Sequence, residues 1–192
     1  MATTHLRLPR TFVALVAFAA CAPVAAQPRQ VVIIRHAEKP DDDSIHLSPA
    51  GQERAEALPR LFQRSAVRAH PLPKPDFIFA TKRSPHSNRP VETVTPLARK
   101  LNLDINAHFE NDDYPKLAAE LLTNPRYAGK TVLVCWHHGT IPELAGKLRA
   151  EDVPDHWKDS VFDRVWVITY GEHGKGKLSK GHQALMPGDD KE

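Results

Sequence analysis

Val31-Val32-Ile33-Ile34-Arg35-His36-Ala37-Glu38-Lys39 is the stretch from which the fold can be read. Four β-branched apolar residues, Val31 to Ile34, run without a polar break. That is the pattern of a strand covered on both faces. The run stops on a guanidinium and an imidazole, Arg35 and His36. In open α/β sheets, ligands bind beyond the carboxyl ends of the strands. The sequence therefore sets its most reactive pair where such a fold keeps its ligand.

Outward from this strand, apolar runs alternate with helical spacings. Ser48-Pro49 opens a helix as N-cap and first helical residue. Ala55, Leu58 and Phe62 share one face of it, and Pro59 should kink it or start a new turn. Asp76 to Ala80 is a second short buried strand. Pro90 starts a helix whose face is Val94, Leu97, Ala98 and Leu101, with Pro96 an early irregularity. Leu103 to Ala107 is a weak strand. Asn111 or Asp112 caps the next helix, which carries Leu117, Leu121 and Leu122. Thr131 to Trp136 is the second strong buried strand, followed by a helix over Ile141 to Arg149. Val165 to Tyr170 is a strand and Lys177 to Leu185 a weak return strand, and Pro187 to Glu192 read as loose. The alternation predicts a three-layer α/β sandwich with a mostly parallel central sheet.

The first residues read differently. Arg7 and Arg10 precede an apolar run, Thr11 to Ala20, and Val24-Ala25-Ala26 forms a small-residue cleavage site. This is the pattern of a secretory signal peptide over residues 1–26, with an expected secreted or periplasmic location for one domain over 27–192. The apolar run is too short to span a membrane. Phe18-Ala19-Ala20-Cys21 loosely resembles a bacterial lipoprotein box, which leaves a lipid anchor at Cys21 as the alternative. Arg7 and Arg10 account for two of the chain's 26 Lys and Arg, so beyond them 24 cations face 23 acids. No broad basic face follows, and nucleic acid is not an expected partner. Beyond residue 26 Cys135 is the sole cysteine, so no intramolecular disulfide is possible there. Its apolar surroundings read as a small buried hydrophobe.

Three segments carry chemistry. Arg35-His36-Ala37 resembles the Arg-His-Gly/Ala signature of the histidine phosphatase superfamily, the phosphoglycerate-mutase-like proteins. Arg89-Pro90-Val91-Glu92-Thr93, after the second strand, resembles that superfamily's Arg-Ala-x-Gln-Thr segment, with Pro90 replacing Ala and Glu92 replacing Gln. Trp136-His137-His138-Gly139-Thr140-Ile141-Pro142 resembles its Gly-His-Ser-Asn-Thr-x-Pro turn. The register puts His137 on the second catalytic histidine. Trp136 stands where Gly is usual, which leaves His138 as the alternative.

The resemblance implies a phosphoglycerate-mutase-like fold and a phosphatase acting on a small phosphorylated substrate, with no metal or cofactor. His36 would be the nucleophile, Arg35, Arg89 and His137 the phosphate ligands. The proton donor would come from the loop after the third strand, with Glu110 first and Asp112 and Asp113 behind it. The physical logic agrees. Phosphoryl transfer is mostly positioning and charge stabilisation. Arginines bind phosphate oxygens in pairs of hydrogen bonds. A neutral imidazole can attack phosphorus, and neighbouring cations should keep His36 neutral. Two other readings stay open: an inactive module that binds phosphorylated ligands, and a cysteine enzyme using Cys135 with His137. No spacing of the His-Glu-x-x-His kind points to a metal site.

Overall fold

In a computed structural model of the chain, the structure describes residues 27–189 except Val67, Glu172 and His173. The expected signal peptide, residues 1–26 with Cys21, and the last residues, 190–192, lie outside the described residues.

The buried run forms β1 (Gln30–Arg35), every residue of it buried. Five more strands complete a single sheet: β2 (Phe77–Ala80), β3 (Ile105–Asn106), β4 (Thr131–Trp136), β5 (Arg164–Tyr170) and β6 (Gly176–His182). Their order is β3-β2-β4-β1-β5-β6. The first four in that order are parallel, and β5 and β6 add an antiparallel edge. The sheet is therefore mostly parallel, as expected. Residues 177–182, read as a weak return strand, pair along β5 from end to end.

Alternate residues of β1 and β4 feed two separate cores, as a period of two requires. Val31, Ile33, Val132, Val134 and Trp136 pack with α3 (Tyr114–Thr123) and α4 (Ile141–Lys147). Val32, Ile34, Leu133 and Cys135 pack with α1 (Pro49–Ala57), the 3-10 turn that follows it, and α2 (Arg89–Leu101). Helices on both faces of one sheet make the three layers. Each fully buried Val or Ile contributes about 1.5–3 kcal/mol relative to exposure.

Local chemistry sets the element ends. Ser48 Oγ accepts from the Gly51 amide at 3.1 Å, and Pro49 occupies the first helical position. Pro59 ends α1 and sits in the 3-10 turn Leu58–Phe62. Pro96 is accommodated inside α2. The entry to α3 differs from expectation. Glu110 and Asp113 form a reciprocal capping box over a 3-10 turn, Asn111–Asp113, so neither Asn111 nor Asp112 is the cap. The α4 helix stops at Lys147 rather than Arg149, which takes a left-handed φ of 61°. The segment from Pro187 is not loose at Asp189, whose side chain is 6% exposed and clasped by Arg54.

Candidate active site

The parallel register of β1 and β4 pairs Arg35 with Trp136. The next residue on each strand is a histidine. His36 N–H donates to Trp136 O at 3.1 Å, and the rings of His36 and His137 meet edge to face with centroids 5.3 Å apart. Two imidazoles distant in sequence thus meet at the carboxyl edge of the sheet because neighbouring strands end in step.

His36 is 3% exposed. Its Nδ1 lies 2.7 Å from Ala37 O. A carbonyl only accepts, so Nδ1 carries the proton and Nε2 keeps its lone pair. The Ala37 amide in turn donates to Thr93 Oγ1 at 2.9 Å, and Thr93 Oγ1 donates to Arg89 O at 2.8 Å. Thr93 therefore ties the His36 loop to the first turn of α2. Burial pushes His36 down to about 2, helped by the charges of Arg35, His137 and Arg89 and opposed by the Ala37 carbonyl. Cations do contribute as the sequence suggested, but burial is the larger cause. Burial, then Arg89, His138 and Arg35, push His137 down to about 4.

Arg35 is 1% exposed. Its Nη1 donates to the carbonyls of Asp159 at 2.5 Å and Val161 at 3.2 Å, and Phe162 covers the guanidinium with its ring centroid 3.9 Å away. Burial lowers Arg35 to about 10, against the carboxylate of Asp159, so it stays charged at neutral pH. Arg89 opens α2; its Nη1 donates to Ser44 O at 2.7 Å. The Nε groups of Arg35 and Arg89 and Nδ1 of His138 are buried without a partner. A buried unpaired donor costs about 1–3 kcal/mol. A phosphate or similar anion is the ligand class that satisfies the two arginine N–H groups, whereas Nδ1 of a neutral His138 accepts when Nε2 faces Asp159.

Trp136, unusual in the motif, is an ordinary strand residue. It is fully buried, and its indole N–H donates to Asn111 O at 3.3 Å. The turn that follows brings His137 against His36, whereas His138 Nε2 sits 3.4 Å from Asp159. Glu110 and Asp112 line a depression of about 430 Å³ with His137, Thr81, Lys82 and Arg83. Lys82 and Arg83 thus lie beside the site. The Glu110 carboxylate is 67% exposed and pairs with Lys82 Nζ at 3.0 Å. Asp113 is engaged elsewhere. It accepts from Lys116 Nζ at 2.5 Å, which holds it below the usual carboxylate range, and caps Glu110 N. Cys135 is fully buried in the α1–α2 core and burial pushes its thiol up, the opposite of an activated thiolate.

Sequence reasoning missed three groups. Thr93 lay inside a matched segment, but its role depends on Ala37 coming close. Asp159 and Phe162 lie outside the three segments that carry the resemblance and have no local signal. Arg54, 5% exposed, holds Glu38 and Asp189 together, and α1 presses on the same loop: a Cβ on Gly51 would come within 2.3 Å of Glu38 O. Among the described residues no helix is long and apolar enough to cross a membrane, and no three His, Cys, Asp or Glu side chains cluster as metal ligands would.

No protein-family model matches the chain, and no curated protein sequence does. Solved structures do. The protein histidine phosphatase SixA, complexed with tungstate, superposes with a TM-score of 0.54 at 19% identity, over 80% of this chain and 97% of that one. The mycobacterial glucosyl-3-phosphoglycerate phosphatase Rv2419c gives 0.52 at 13% identity, over 80% and 97%. At these identities the likeness speaks to architecture: the chain has the fold of the histidine phosphatase superfamily.

Proposed function

We propose that this protein is a phosphatase that hydrolyses phosphomonoesters through a phosphohistidine on His36, without a metal. The observation that carries the reading is the pinned tautomer of His36. Its Nδ1–H is held by Ala37 O, which leaves the Nε2 lone pair free, and its ring meets His137 beside buried Arg35 and half-buried Arg89, whose Nε groups are both unpaired. Both solved relatives named above are phosphatases by description, which supports the class.

In the first step Nε2 of His36 attacks phosphorus in line, the P–O bond to the leaving group breaks, and its electron pair goes to the leaving oxygen. Arg35 and Arg89 hold the equatorial oxygens, and His137, protonated beside the phosphoryl dianion, adds a donor. Glu110, with Asp112 as alternative, gives the leaving oxygen its proton. Water then gives a proton back to that carboxylate as it attacks phosphorus, the P–N bond breaks, and the pair returns to Nε2 with release of phosphate. The leader-like residues 1–26 support secretion to the periplasm or beyond; N-terminal sequencing of protein recovered from a periplasmic extract tests that location.

A second reading, an inactive module that binds phosphorylated ligands, draws on one observation. Glu110, in the depression beside His137, is exposed and already paired with Lys82, a poor setting for a proton donor. Phosphate release from an aryl phosphate, with chelator present, separates the two. Wild-type activity that disappears in His36→Ala supports the phosphohistidine route. Equal activity in both proteins removes His36 as nucleophile. Phosphate binding without turnover favours the module.

A further inference from the structure

Asp159 stands in the midst of three cationic or donor groups that come from the two segments carrying the paired histidines. Its Oδ1 is 3.4 Å from Arg35 Nη2 and 3.4 Å from His138 Nε2, and its Oδ2 is 3.9 Å from Lys39 Nζ. Arg35 and His138 each adjoin one of the paired histidines in sequence, and Lys39 lies three residues beyond His36. None of the three contacts reaches the roughly 2.7–2.9 Å of a charge-assisted hydrogen bond. The carboxylate is shared among the three rather than locked to one, and it is 61% exposed. An exposed pair of this kind adds little to stability, so the placement needs another account.

The backbone that carries Asp159 is firmly held. Arg35 Nη1 bonds the Asp159 and Val161 carbonyls, Trp157 is 3% exposed with its indole N–H on Val161 O at 2.8 Å, and Phe162 stacks on Arg35. A negative charge is thus set at a defined point beside the phosphate arginine. There it occupies a position that Lys39, His138 and Arg35 would otherwise offer to an anion. The depression beside His137 is mixed in charge, Lys82 and Arg83 against Glu110 and Asp112, so it does not dictate a sign.

We propose that Asp159 determines specificity: it fills an anion subsite made by Lys39, His138 and Arg35, so that the site prefers phosphomonoesters with a neutral or cationic leaving group over those bearing a second anionic group. The inference rests on the phosphatase reading and narrows its substrate class. Discrimination of this kind comes from a repulsive element as much as from attractive ones. Removing the carboxylate exchanges repulsion for attraction at that point.

The test is equilibrium binding of non-hydrolysable phosphonates by calorimetry at low ionic strength. Phenylphosphonate is compared with its meta- and para-carboxylated forms on wild type, Asp159→Asn, Asp159→Glu and the double variant Asp159→Asn with Lys39→Met. Wild type should bind phenylphosphonate more tightly than either carboxylated form. Asp159→Asn should shift that ratio toward a carboxylated form by about fivefold or more, and salt should shrink the shift. Asp159→Glu should restore the wild-type preference, and the added Lys39→Met should cancel the gain. Because the readout is a ratio, a general weakening of the site does not imitate it. An unchanged ratio for both carboxylated forms in Asp159→Asn overturns the proposal, as does failure of wild type to bind any of the phosphonates. Binding with the expected ratios but no hydrolysis of phenyl phosphate would count against the phosphatase reading alone.

Discussion

Arg54 donates through Nη1 and Nη2 to the two carboxylate oxygens of Asp189, at 2.9 and 2.8 Å, and holds Glu38 with its other edge. One guanidinium thereby joins α1, the loop that follows His36 and the C-terminal segment. Asp189 also accepts from the amides of Leu185 and Met186. Burial alone would raise Asp189, but Arg54 and these amides hold it below the usual range.

Removing one member of a buried charge cluster is costly, because it leaves the others unpaired. Arg54→Ala should lose about 3–5 kcal/mol in urea unfolding, since it strands two carboxylates together. Asp189→Asn should lose less, since the amide keeps the shape and one acceptor. Equal unfolding midpoints for Arg54→Ala and wild type would mean the cluster contributes nothing. The sign with pH follows from the lowered Asp189: its contribution is present above its unfolded pKa and is lost as pH falls through the folded value.

His36 makes stability depend on pH at a higher range. It is neutral in the folded protein down to about 2, while the unfolded chain takes up a proton from about 6.5 downward. The unfolded state therefore binds more protons as pH falls below 6.5, and stability drops with it. At about pH 5 the loss from this one group is about 2 kcal/mol. Unfolding free energies of wild type and His36→Asn, measured from pH 8 to 5, should differ by a constant above 6.5 and converge below it. Parallel curves throughout would refute the buried neutral imidazole.

Thr93 accepts from the His36 loop at Ala37 N and donates to the first turn of α2 at Arg89 O. Thr93→Val should leave the buried Ala37 N–H unsatisfied, at about 1–3 kcal/mol. It should also lower kcat by about tenfold through misplacement of His36, with smaller change in KM. Thr93→Ser should restore most of both. The effect on kcat is the informative one, since a purely structural loss would appear in unfolding and spare turnover.

Cys135 should be inert in the folded state. Protein beginning at Gln27 should resist iodoacetamide at about pH 8 and keep its activity, then label stoichiometrically in denaturant, as a buried neutral thiol requires. Rapid labelling with loss of activity would return the cysteine mechanism to consideration.

The two strong strands, the helix faces and the histidine pair were legible in the linear chain, because burial on both faces and helical periodicity are written in residue order. Val31 to Ile34 and Thr131 to Trp136 each run into a histidine within two residues along the linear chain. The cap of α3 was not, because Glu110 and Asp113 compete on nearly equal terms with Asn111 and Asp112 for the same turn. Each of two candidate acids has a lysine partner that no local pattern announced, Glu110 with Lys82 and Asp113 with Lys116.

By itself the sequence determined the alternation of layers, the residues that end β1 and β4, and the presence of Arg35, His36, Arg89 and His137 at strand and helix ends. Tertiary structure alone decided that β1 and β4 end in step, so that His36 meets His137. It also decided that Thr93 holds the Ala37 amide, that residues 158–162 return over Arg35, and that Arg54 draws Asp189 in. The reason is physical. Apolar burial is non-directional and leaves a periodic trace along the chain. A polar group's partner is chosen by direction and distance, and these exist only once distant segments have been folded together.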